Sequence, residues 1–132
     1  MLRIAAGLLL LATMASTVCA QSKASGNPWL NGTWEGTGYQ IDTNETWTMR
    51  LVVAGKRYKI EYPSLKCTGR WSPISVGSWI ARFRERITSG TEDCTDKGSV
   101  VIERLSRRQI AYRYSNPGTR DVIASAILNR KK

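Results

Sequence analysis

The stretch Ser78 to Ile87, SWIARFRERI, changes character at every step: Trp79, Ala81, Phe83, Glu85 and Ile87 alternate with Ile80, Arg82, Arg84 and Arg86. A period of two marks a half-buried β-strand, because successive side chains leave a pleated backbone on opposite faces. An amphipathic helix needs apolar residues every three or four positions. From Asn31 onward no helical run of useful length occurs.

Other runs share the alternation. GTWEGTGYQI carries Trp34 and Tyr39 with three glycines, and residues 46 to 53 place Trp47, Met49, Leu51 and Val53 on one side. Tyr58, Ile60 and Tyr62 oppose Arg57, Lys59 and Glu61, and Cys67, Gly69 and Trp71 alternate with Thr68 and Arg70. Residues 100–105, 109–114 and 122–129 complete the set. Turn residues separate the runs: Ala54-Gly55-Lys56, Pro63, the polar loop TSGTEDCTDKG, and Asn116-Pro117-Gly118. About eight short strands without helices predict an antiparallel meander closed into a β-barrel, with a two-sheet sandwich as the alternative.

The first twenty residues have a different composition. Arg3 precedes an apolar run from Ile4 to Ala15, and Val18-Cys19-Ala20 precedes Gln21. This reads as a secretory signal cleaved after Ala20, with a lipoprotein anchored at Cys19 as the alternative. Residues 21–30 read as a flexible tether and residues 31–130 as one domain, in the bacterial periplasm or outside the cell. No later run is apolar enough to span a membrane.

The reactive inventory excludes several chemistries. The chain has no histidine, so Ser-His and Cys-His nucleophiles and Cys/His zinc sites are ruled out. After signal cleavage only Cys67 and Cys94 remain, and in an oxidising compartment they read as a structural bridge worth about 3 kcal/mol. Glu92, Asp93 and Asp96 flank Cys94 without the spacing of a calcium loop and read as turn residues. Neither a metal nor a cofactor is expected. Glu85 is the only carboxylate to nominate for catalysis, and glycoside hydrolysis needs two. The expectation is therefore a protein that is not an enzyme.

Two resemblances add to this reading. The opening Gly32-Thr33-Trp34 looks like the start of lipocalin-like and avidin-like barrels. The set Tyr62-Pro63-Ser64-Leu65, Cys67, Gly69, Phe83, Glu85, Ile87, Gly90, Cys94, Asp96, Gly98, Ala124, Ala126 and Leu128 resembles a small extracytoplasmic bacterial domain. That domain occurs alone after a signal peptide or attached to larger proteins, including some serine/threonine kinases. The resemblance implies a secreted β-domain with one disulfide and carries no catalytic residues.

Two groups of residues remain as candidate sites. Glu85 falls on an apolar face, where a carboxylate must find donors or take up a proton. Tyr58, Tyr62, Tyr112 and Tyr114 could supply those donors, whether Glu85 is a satisfied core group or the floor of a ligand pocket. Large inward residues, with Trp47, Trp71, Trp79 and Phe83 set against Gly69, Ala81, Ala124 and Ala126, predict a filled interior more than a roomy cavity. On the outer face, Arg82, Arg84, Arg86, Arg57, Lys59, Arg70, Arg113, Arg107 and Arg108 belong to a chain of net charge +10. They either attract an anionic envelope component or acidic protein, or form a solvated face. Nucleic acid is a weaker match, since no aromatic stacking motif accompanies the charge. A secreted hydrolase inhibitor and a small-ligand-binding barrel are the competing functions.

Overall fold

The computed structural model describes residues 28–132, so the expected signal sequence, its expected cleavage after Ala20 and Cys19 lie outside the described residues. Eight antiparallel strands form a closed barrel in sequence order: β1 (Gly32–Gln40), β2 (Glu45–Ala54), β3 (Arg57–Tyr62), β4 (Cys67–Val76), β5 (Ile80–Ser89), β6 (Ser99–Arg104), β7 (Gln109–Ser115) and β8 (Val122–Arg130). β1 pairs with β8 from Trp34 opposite Arg130 to Gln40 opposite Ala124, so no strand is left with a free edge. Along β5 the residues from Ile80 to Arg86 alternate strictly between exposed and buried, as the sequence pattern requires.

The two ends of the barrel differ. At one end a single 3₁₀ turn, Pro28–Leu30, folds across the opening and buries Trp29 and Leu30. The expected tether therefore stops short of these residues. They are apolar, and they close a core made of Trp34, Leu51, Ile60, Phe83, Ile102, Ile110 and Leu128.

Arg130 fastens this closure. Its guanidinium lies 4.1 Å from the Trp34 ring centroid, donates to the Trp29 carbonyl at 2.8 Å and to the Arg107 carbonyl at 2.9 Å, and also reaches the Asn31 carbonyl. The Trp34 indole donates to the Leu30 carbonyl at 2.8 Å, and Trp29 donates to the Gly77 carbonyl at 3.0 Å.

The other end carries the longer loops. Pro63 ends β3, and a 3₁₀ turn over Pro63–Leu65 follows, held to β2 by reciprocal bonds between Ser64 and Thr48. The loop after β5 is anchored twice. Asp96 accepts from the Ile87 and Lys97 amides at 2.9 and 2.8 Å, and Cys94 is joined to Cys67 by a disulfide with Cα atoms 6.5 Å apart. Gly90 makes the approach feasible, since its φ is +74° and a Cβ there would lie 2.5 Å from the Lys66 carbonyl oxygen.

One inward assignment is overturned. Trp79 precedes β5, sits in the β4–β5 turn and is 63% exposed. The alternation ends where the ladder ends, and Arg104 holds the indole by a cation–π contact at 5.4 Å. β4 also runs past Trp71 through Pro73 to Val76, with register shifts at Thr68/Gly69 and Pro73/Ser75 that accommodate the proline.

Two stability outcomes follow from this architecture. Replacing both Cys67 and Cys94 by Ala should lower unfolding free energy in urea by about 3 kcal/mol while retaining the barrel's circular dichroism. Arg130→Ala should cost about 2–4 kcal/mol, with Lys restoring less than half, because one ammonium cannot serve a planar ring and three carbonyls together.

Candidate functional site

At the loop-bearing end the barrel is not filled. A cavity of about 240 Å³ opens between the loops and is lined by Trp47, Tyr62, Tyr112, Tyr114 and Glu85 within, with Gln40, Asp42, Leu65, Asp93 and Thr95 toward the rim. The expectation of a filled interior thus holds for the closed half and fails at the mouth. Two glycines make room for the aromatic wall. The Trp47 indole lies over Gly38, and the Tyr114 ring lies over Gly98, where a Cβ would come within 2.0 Å of the ring.

Glu85 stands at the base of this cavity and is 3% exposed. Its Oε2 accepts from the Tyr62 hydroxyl at 2.5 Å and from the Trp71 indole at 2.8 Å. Because the Tyr62 proton is committed to Glu85, the long 3.5 Å contact between Tyr112 and Tyr62 leaves Tyr112 as the donor. The result is a directed chain, Tyr112 to Tyr62 to Glu85, with Trp71 stacked on Tyr112 at 5.9 Å. No donor reaches Oε1 among the described residues.

The Trp47 indole N–H is buried and likewise has no acceptor. Burial pushes the Glu85 carboxyl above its ordinary value, against the lowering effect of its two donors. Burial and the neighbouring carboxylate hold Tyr62 and Tyr112 well above the usual phenol range.

Three of the four nominated tyrosines gather here, and one does not. Tyr58 packs on Phe83 at 4.7 Å, deeper in the barrel, and makes no bond to Glu85. Four residues before Tyr62 on the same face of β3, it is too far along the strand to reach. Tyr114 reaches the rim, where its hydroxyl donates to the Thr95 carbonyl at 3.3 Å. Trp71 was missed as a donor. It stands directly opposite Glu85 in the β4–β5 register, a pairing that the register shifts on either side hide from the sequence.

The cationic residues are distributed around the outside. Lys59 is paired with Glu61 at 2.6 Å and Arg113 with Glu103 at 3.1 Å, which offsets their charge. Arg107 and Arg108 lie in the turn at the closed end, where their carbonyls accept from Arg130. Arg57 is exposed at the start of β3.

The concentrated group is on β4 and β5. Arg70 is directly opposite Arg86, Arg84 is opposite Ser72, and Lys97 joins them around an outer cleft of about 270 Å³. Arg82 and Arg120 line a neighbouring groove with Ile74. None of these six cations makes an ion pair among the described residues. Asp96 is the nearest opposing influence, its carboxyl held low by the Ile87 and Lys97 amides and by the charges of Arg86 and Lys97.

No family model and no curated protein matches the chain. Among solved structures the chain is similar to a redesigned β barrel, with a TM-score of 0.61 and 13% sequence identity over 84% of this chain and 99% of that one. At that identity the likeness concerns the fold alone. Among the described residues no group of acidic or sulfur side chains is placed to hold a metal ion, and no helix is long and apolar enough to cross a membrane.

The Glu85 environment has a pH consequence. Its folded value is raised above the ordinary 4.5, so the folded state binds this proton more tightly than the unfolded chain does. The associated stabilisation is complete below the ordinary value and is lost as pH rises through the folded value. Glu85→Gln keeps the shape and the acceptor oxygen without the charge. The melting temperature of this variant minus that of the parent should therefore grow as pH rises from about 4, then level off; a pH-independent difference would contradict the assignment.

Proposed function

We propose that the chain is an exported, non-catalytic binding protein of the bacterial envelope that docks on an anionic lipid surface through its β4–β5 wall. The observation that supports this reading most strongly is the placement of Arg70 directly across from Arg86, with Arg84 and Lys97 beside them and no ion pair for any of the four. Like charges facing each other across strands are unfavourable in the free protein. Phosphate headgroups would relieve that repulsion, and arginine forks suit phosphate oxygens.

The tip of the same hairpin favours lipid over an acidic protein. Trp79 and Ile74 are 63% and 62% exposed, Ile80 lies beside them, and Arg82 continues the line toward Arg84 and Arg86. An indole and two aliphatic side chains at one end of a cationic strip match the layering of a membrane interface, with apolar groups below the phosphates and cations among them.

Co-sedimentation with vesicles tests this reading. Phosphatidylglycerol vesicles should retain the protein and phosphatidylcholine vesicles should not, with affinity falling at least about tenfold between roughly 50 and 200 mM salt. Combining Arg70→Gln, Arg84→Gln and Arg86→Gln should remove about 1 kcal/mol per cation, or about a hundredfold in affinity. Trp79→Ala should weaken binding while leaving its salt dependence in place. Equal retention on neutral vesicles, or retention indifferent to salt, would refute the reading.

A further inference from the structure

The barrel mouth carries the opposite sign from the wall. Asp42, Glu45, Glu92, Asp93, Asp96 and Asp121 all lie in loops or at strand ends around this rim, in a chain with only ten acidic residues. Lys66, Lys97 and Arg120 are also at this end, yet neither a lysine nor an arginine lines the cavity, although the chain holds twenty. Instead the lining combines four aromatic rings with Glu85, Asp42 and Asp93.

Two polar atoms there are without partners, and one of them, the Trp47 N–H, is fully buried. Glu85 carries both of its donors on Oε2, leaving Oε1 without one, and the Trp47 N–H, on a side chain 8% exposed, has no acceptor. Buried polar atoms normally find partners. The Trp47 N–H lies against Gly38 and is closed to the cavity, but a carboxylate oxygen lacking a donor, in an aromatic-walled cavity lined by no lysine or arginine, calls for a ligand that brings a positive charge.

We propose that the mouth is a binding site for a small organic ammonium ion. The ammonium would sit against Glu85 among the faces of Trp47, Tyr62, Tyr112 and Tyr114, where ring quadrupoles attract a cation and a dry setting strengthens the attraction. Asp42 and Asp93 at the rim would draw the cation in past a body whose outer wall repels it. About 240 Å³ admits a ligand of the size of an amino alcohol, and larger cations would be held out by the loop anchored at Cys94. Glu85 stands between this cavity and the outer cleft, but the site opens at the mouth and does not depend on the lipid reading.

Calorimetric titration of the intact protein with choline, and in parallel with its uncharged isostere 3,3-dimethylbutan-1-ol, tests the assignment. Choline should bind at one site, and the isostere at least about tenfold more weakly, a difference of about 1.4 kcal/mol. Glu85→Gln should weaken choline at least tenfold without changing the isostere. Thr95→Trp, a substitution in the exposed rim, should block both ligands. Should Glu85→Gln fail to fold, the parent's preference for choline over the isostere and the Thr95→Trp block still decide the matter. Equal binding of the two ligands, no choline binding by the folded protein, or binding untouched by Thr95→Trp would overturn the proposal. None of these outcomes bears on the vesicle experiment.

Discussion

Pairing of β1 with β8 is the constraint on which the remaining structure depends. Once Trp34 stands opposite Arg130 and Gln40 opposite Ala124, the sheet has no edge, and every strand must send alternate residues to one enclosed interior. The same step brings the chain ends together, so that Arg130 can seal the turn at Pro28–Leu30 against Trp34. Closing one end in this way leaves the interior open between the loops of the other end.

Interior chemistry follows from that asymmetry. In the sealed half, aliphatic side chains and Phe83 dominate, and the Trp29 and Trp34 indoles donate to the Gly77 and Leu30 carbonyls. In the open half, Tyr62, Trp71, Tyr112 and Glu85 form a hydrogen-bonded cluster that stays buried because its donors converge on one carboxylate oxygen. A buried carboxylate is tolerable only with such donors, and the cost still shows in the raised proton affinity of Glu85. The disulfide and Asp96 hold the adjoining loop beside this cluster, so the shape of the mouth is set by anchored segments.

Most of the architecture was legible from alternation, because in a closed barrel the side-chain period and burial are the same fact. The strands and the inward position of Glu85 could be read this way, and the bond between Cys67 and Cys94 from the cysteine count. What could not be read depends on register or on contacts across the chain. Trp79 continued the pattern of β5 on paper, but the ladder begins at Ile80 and the residue before it is free to turn outward. Trp71 meets Glu85 in a register bounded by two irregularities, an extra residue on β5 at Thr88 and one on β4 at Ile74. Trp29 and Leu30 looked like part of a polar tether since their packing partners lie on distant strands. The cavity was hidden for a related reason: residue volumes suggest a full interior, whereas Trp47 and Tyr114 lie flat over Gly38 and Gly98 and leave the centre of the mouth open.

The central claim is that one small barrel keeps two signs of charge apart, with arginines outside on β4 and β5 and carboxylates with aromatic rings at the mouth, so that each end of the charge pattern addresses a different ligand. Amide chemical-shift mapping of the labelled protein tests this most directly, using phosphatidylglycerol-containing nanodiscs and choline as separate titrants. The account predicts two sets that meet only at Glu85 and Trp71: amides of residues 70, 72–74, 79, 80, 82, 84 and 86 responding to the lipid, and amides around Trp47, Tyr62, Glu85, Thr95 and Tyr114 responding to choline. A common set of shifted amides, or a diffuse response without clustering, would contradict it.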